Sequence, residues 1–170
     1  MKNESLKHRH VAATTKTLRC CLIAIALMAT RATASTDPFL GEWKLNVQRS
    51  VYPAGTCPKQ MSIEMTASAR GIHYHSNTTY ANGAATQAQY VADYNGKQAA
   101  VMGDRGFLLP VSLKRIDSRT VVASYMRGTQ LVATSRRVVS PDGRRMTITT
   151  KSQSSPGKSV TSVGLYERVK

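Results

Sequence analysis

The chain predicts an all-β fold, an antiparallel up-and-down β-barrel of about ten strands, and three observations support it. From Glu42 onward, apolar and polar residues alternate with period two. Turn pairs such as Asn82-Gly83, Asn95-Gly96 and Asp142-Gly143 interrupt that alternation at short intervals. The connections between the alternating runs are too short for parallel neighbours, which need a dozen or more residues per crossover.

The order of elements starts with a segment that is not part of the barrel. Lys2, Lys7, Arg9, Lys16 and Arg19 form a basic leader opposed only by Glu4, and Cys20–Ala29 is an apolar run. That run is well short of the roughly 20 residues that span a bilayer. Ala32-Thr33-Ala34 is an A-x-A cleavage pattern, so residues 1–34 read as a secretory signal peptide that is removed. The expectation is therefore export to the periplasm or the medium, with residues 35–170 forming one barrel domain. Removal of the leader takes Cys20 and Cys21 with it and leaves Cys57 alone, so no intramolecular disulfide can hold the fold.

The barrel itself opens with Glu42–Val47 as a strand. A Pro/Gly loop follows through Gln60, with room for one short helical turn. Met61, Ile63 and Met65 alternate with Ser62, Glu64 and Thr66 as a half-buried strand. The next strands are Ile72–Tyr80 and Ala84–Tyr94, and the Asn95-Gly96 pair after them is the strongest hairpin signal in the chain. A short run Gln98–Met102 leads into the irregular "GDRGFLLP". Val111–Ile116, Val121–Arg127, Gln130–Val139, Arg145–Thr150 and Val160–Val169 complete the set. A two-sheet sandwich competes with this arrangement, but only "GDRGFLLP" could serve as its longer arch. Closure into a barrel removes the exposed edges that a long meander would otherwise leave.

Gly41-Glu42-Trp43 resembles the G-x-W signature that opens lipocalins and the related fatty-acid-binding-like barrels, together the calycins. With "DPFLGEWKLNVQRSVYPAGTCPK", "YNGK", "SLKRID", "RRVVSPDG" and "MTITTK", the chain from Asp37 to Lys170 is similar to small exported lipocalin-like proteins of bacteria. The resemblance implies a calycin-like barrel whose Trp43 seals one end beneath an arginine. Arg168 is the first choice for that lid and Arg136 or Arg137 the next, the alternative being a core Trp43 with no lid. A flat side chain suits a wide barrel end, and a guanidinium on its face adds about 0.5–2 kcal/mol. Fatty-acid-binding relatives hold a carboxylate with an Arg-x-Tyr near the C-terminus. Here the end reads Tyr166-Glu167-Arg168, so that clamp does not carry over, and no helix fits before the last strand.

Function is less legible. With 24 Lys and Arg against 9 Asp and Glu, the chain carries a formal charge of +15 and attracts anionic partners, an envelope surface among them. The basic residues are scattered, and an exported protein does not meet nucleic acid. His73-x-His75 has a spacing that can chelate a metal, but no third ligand is announced, so a polar outer strand face is the expectation. No nucleophile elbow surrounds a serine, and the acids sit mainly at turns. No catalytic residue, metal or cofactor is therefore assigned. Asn77-Thr78-Thr79 matches a glycosylation sequon without further support.

A barrel interior is what remains. Tyr74, Tyr90, Tyr125, Arg115 and Arg137 are the candidate ligand contacts, and Gly41, Trp43 and Arg168 the candidate barrel closure. An arginine facing inward would be too costly to bury unpaired and would mark an anion site. Period alone allows Ile72 and Tyr74 to face inward with His73 and His75 outward, or the reverse. The expected function is non-catalytic binding of a small apolar or anionic ligand inside the barrel. The alternative is an envelope or surface interaction protein with a filled core and a basic exterior. Oligomeric state is not readable.

Overall fold

The computed structural model describes residues 36–155 and 157–169. The expected signal segment, with its cleavage site, lies outside them. The described chain is one antiparallel sheet of twelve strands with a single 3-10 turn. The strands are β1 (Gly41–Leu45), β2 (Gln60–Ser68), β3 (Gly71–Thr79), β4 (Ala85–Ala92), β5 (Asn95–Ala99) and β6 (Met102–Gly103), then β7 (Gly106–Phe107), β8 (Val111–Asp117), β9 (Thr120–Arg127), β10 (Gln130–Val139), β11 (Arg145–Ser155) and β12 (Lys158–Arg168).

Their order across the sheet is β5-β8-β9-β10-β11-β12-β1-β2-β3-β4-β6-β7. The first and last strands are therefore neighbours, with Trp43 opposite Arg168 and Leu45 opposite Tyr166. The sheet curls, but no ladder joins β4 to β8, and a seam runs between them.

Two expectations are corrected here. There are twelve strands rather than about ten, because "GDRGFLLP" is irregular only from Leu108 on. Its β6 and β7 form a small hairpin that lies against β4, and the Asp104 carboxylate accepts the Gln87 amide at 2.7 Å to hold it there. The Asn95-Gly96 pair is also not a hairpin turn. Both residues lie inside β5, which pairs with β8 and not with its predecessor β4. The actual turn is Asp93-Tyr94, where the Asp93 carboxylate accepts from the Tyr94 amide and the Asn95 side chain. Gly96 spends its positive φ of 82° on a bulge between Asn95 and Gln98.

The two ends of the sheet differ. One is closed by Phe39 and Trp43, which are 1% and 0% exposed, over Met65, Leu113, Val121, Val139 and Met146. The opposite end carries the β3–β4, β9–β10 and β11–β12 turns and the loop from Tyr52 to Lys59, whose amide bonds the Thr79 carbonyl.

Period two fixes the inward faces between those ends. On β3, Ile72, Tyr74, Ser76 and Thr78 are buried, while His73 and His75 lie on the other face. Among the described residues, no group of three His, Cys, Asp or Glu side chains converges on a metal-sized point.

Candidate ligand-binding site

The closed end is organised by Arg168. Its guanidinium carbon lies 4.2 Å from the Trp43 ring centroid. It donates to the carbonyls of Pro38, Leu40 and Gly143, and the Trp43 indole N–H donates to the Phe39 carbonyl at 2.9 Å. Gly41 has φ 116°, and a Cβ there would stand 2.5 Å from the Arg168 guanidinium. The glycine of the G-x-W run is thus required twice, once by backbone conformation and once by the approach of the arginine. Residues 37–40 are drawn across the barrel end as a plug.

Arg115 belongs to the same end and not to the interior pocket where the sequence suggested it. Its guanidinium pairs with the Asp37 carboxylate at 2.7 Å and lies 3.9 Å from the Tyr94 ring centroid. The Tyr94 hydroxyl donates to the same carboxylate at 2.8 Å. Burial, followed by that Asp37 bond, pushes the Tyr94 phenol upward. A bulge between Arg115 and Asp117 turns β8 at this point, so the side chain reaches the plug.

Arg137 is different. It sits on the inward face of β10, 3% exposed, between Ser135 and Val139. Nη1 donates to the Tyr90 hydroxyl at 2.9 Å and Nη2 to the Tyr125 hydroxyl at 3.3 Å. Its guanidinium carbon is 5.0 Å from the Tyr74 ring centroid, and Tyr74 stacks on Tyr90 with centroids 4.6 Å apart. Among the described residues, the ion pairs are Arg49–Glu167 and Arg115–Asp37, and neither includes Arg137. Its Nε is the buried side-chain nitrogen left without a hydrogen-bond partner.

Burial weighs against the Arg137 charge, and the phenol oxygens of Tyr90, Tyr125 and Tyr74 favour it through their lone pairs. Burial in turn pushes the Tyr90 and Tyr74 phenols up despite the cation beside them, so they stay neutral donors and acceptors. A neutral phenol shares a lone pair with a guanidinium but does not cancel its charge.

Arg137 borders a cavity of about 240 Å³ that extends to the loop residues Tyr52, Thr56 and Tyr80. Of the residues singled out in the sequence, Tyr74, Tyr125 and Arg137 line it, and Tyr90 braces Arg137 from behind. Several wall residues had not been singled out. Ser135 and Thr150, their hydroxyls 2.7 Å apart, line it together with Ser162 and Thr78. Their signal was available, because Ser135 lies two positions before Arg137 and so shares its face. Tyr52 was hidden in a proline loop. It reaches the cavity because Val51 bridges to Val163 on β12 and Ser50 Oγ accepts the Leu165 amide.

No protein-family model matches this chain, and no curated protein matches it. Among solved structures, the zebrafish ileal bile acid-binding protein complexed with cholic acid is similar, with a TM-score of 0.51 and 12% identity. The match covers 78% of this chain and 99% of that one. The likeness is one of fold, a curled antiparallel sheet.

Proposed function

We propose that the chain is an exported, non-catalytic binding protein that holds a small molecule inside the barrel, with a negatively charged group of that molecule on Arg137. One observation carries this reading. Arg137 is 3% exposed, has an unpartnered Nε and borders a cavity. A charge taken out of water without a counter-ion costs several kcal/mol even after relaxation. Here the described protein supplies only phenol oxygens, whereas a bound carboxylate, sulfonate or phosphate would supply the missing charge and the missing acceptor together. The cavity wall offers no His, Cys, Asp or Glu to act as base or nucleophile, which supports binding over catalysis. The curled-sheet fold, shared with a protein solved as a cholic acid complex, fits a container.

The basic exterior favours a second, compatible role. Lys114, Val122, Arg136 and Thr149 form a cross-strand row on the outer face, with both cations exposed, and this row would suit an anionic envelope surface. Native mass spectrometry of the protein purified from its own source tests the principal reading. A co-purifying anionic mass that disappears in Arg137→Met supports it. A bare mass under gentle conditions, with no uptake of added organic acids, counts against it.

A further inference from the structure

Resting on that reading, we infer that the ligand is a short hydroxy acid with an aromatic or similarly apolar body, rather than a long-chain or steroid acid. The first argument is size. The cavity at Arg137, about 240 Å³, falls below the roughly 300–1,000 Å³ of usual ligand pockets, and the neighbouring space of about 760 Å³ beside β4 and β6 meets it only at Thr78. At a liquid share of about 30 Å³ per water the Arg137 cavity holds roughly eight waters, the space of a molecule of about a dozen non-hydrogen atoms.

The second argument is the chemistry of the wall. On three adjacent strands the register aligns Ser135 with Thr150 and Thr150 with Ser162, and all three line the cavity. The row containing Arg137, Ile148 and Gly164 lies next to it, two residues further from the loops at the open end. Two residues of strand span about 6.6 Å. On the facing side Thr78 adds a further hydroxyl. A hydrocarbon chain rising from Arg137 would cover this row and strip it of water without replacing its hydrogen bonds, which is unfavourable. The Ser135–Thr150 pair satisfies one donor internally and keeps another O–H and several lone pairs for a guest. A ligand that sets its acidic group on Arg137 and carries a hydroxyl would meet this row.

The third argument is what lies between. Ile63, Ile148, Met61 and the faces of the tyrosine rings are the apolar part of the wall. The body joining acid to hydroxyl should therefore be apolar, and a ring of benzene size fits the volume. Gly164 makes room for two of the wall's tyrosines, because a Cβ there would stand 2.8 Å from both the Tyr52 hydroxyl and the Tyr166 ring.

Calorimetric titration of the full chain, processed as it is in its own source, tests this with 4-hydroxyphenylacetate, phenylacetate, hexadecanoate and cholate as probes. The expected result is that 4-hydroxyphenylacetate binds at least tenfold tighter than phenylacetate and that neither large acid binds within the barrel. Ser135→Ala, or Thr150→Val should the first variant fold poorly, should narrow the preference to under threefold. Arg137→Met should abolish both. If hexadecanoate, cholate or phenylacetate binds as well as the hydroxy acid, and Arg137→Met removes that binding, the inference falls and the anion-binding reading stands. If no acid binds, or binding ignores Arg137→Met, both fall.

Discussion

Replacing Arg137 with methionine should make the ligand-free protein more stable while destroying its binding. The charge sits 3% exposed without a carboxylate, and removing a desolvated, unpaired ion recovers several kcal/mol. Removing the unpartnered Nε recovers about 1–3 kcal/mol more. Against this, the Tyr90 hydroxyl loses its 2.9 Å partner in a buried position, at a cost of about 1–3 kcal/mol. Tyr125 is half-buried at the cavity wall and can turn to water. Methionine fills the vacated volume with an adaptable apolar chain. The net gain should be about 1–3 kcal/mol, and at about 4 °C per kcal/mol for a domain of this size the Tm rises by about 4–12 °C. The assay is thermal unfolding followed by circular dichroism, on protein stripped of ligand by unfolding and refolding. Adding Tyr90→Phe should raise the Tm again, since the orphaned hydroxyl goes with it. A fall of more than about 4 °C in the single variant would refute the reasoning, because Arg137 would then be a satisfied structural group.

Three further outcomes follow from the geometry. Gly41→Ala should cost about 1–2 kcal/mol for its positive φ alone, and more because its Cβ would push Arg168 off Trp43. A lowered Tm with a red-shifted emission from Trp43, the one tryptophan, is the readout. Arg115→Gln should lower stability by about 1–3 kcal/mol through release of Asp37 and Tyr94, read as a lowered Tm in thermal unfolding. Finally, burial raises the phenols of Tyr74, Tyr90 and Tyr166 above their unfolded values, so the folded state keeps protons the unfolded state gives up. The stability they contribute is full below about pH 10 and declines above it, by about 1.4 kcal/mol per pH unit for each phenol. A Tm unchanged between about pH 9 and 11 would contradict this.

The strands were legible because period two and turn residues are local signals, and from β8 onward each strand pairs with the next. The reading failed where tertiary contacts overrode a local signal. Asn95-Gly96 has the residues of a tight hairpin, but Tyr94 is drawn to Asp37 and Arg115, and that pull splays β5 away from β4. The sixth and seventh strands are two residues each, too short to show any period. The parity of His73 and Tyr74 was undecidable from alternation, since either face of a strand can be the inner one. Burial of Ile63 and Met65 opposite Ser76 and Tyr74 decides it.

Arginine roles were the hardest to read from the residues alone, because Arg115, Arg137 and Arg168 each follow a charged residue and precede an apolar one. Their partners separate them. Arg168 spends its donors on the carbonyls of Pro38, Leu40 and Gly143, and Arg115 spends its charge on Asp37. Both therefore act on residues 37–40, and together they turn that segment into the floor of the barrel. Arg137 alone faces the space this floor encloses, with its charge uncancelled by any described residue. The two roles depend on each other. Without the plug, water would reach Arg137 from below and screen it, and the case for an anionic guest would weaken. Loosening the floor through Gly41→Ala should therefore reduce acid affinity even though Gly41 touches no ligand, whereas a binding site confined to the open rim would not register the change.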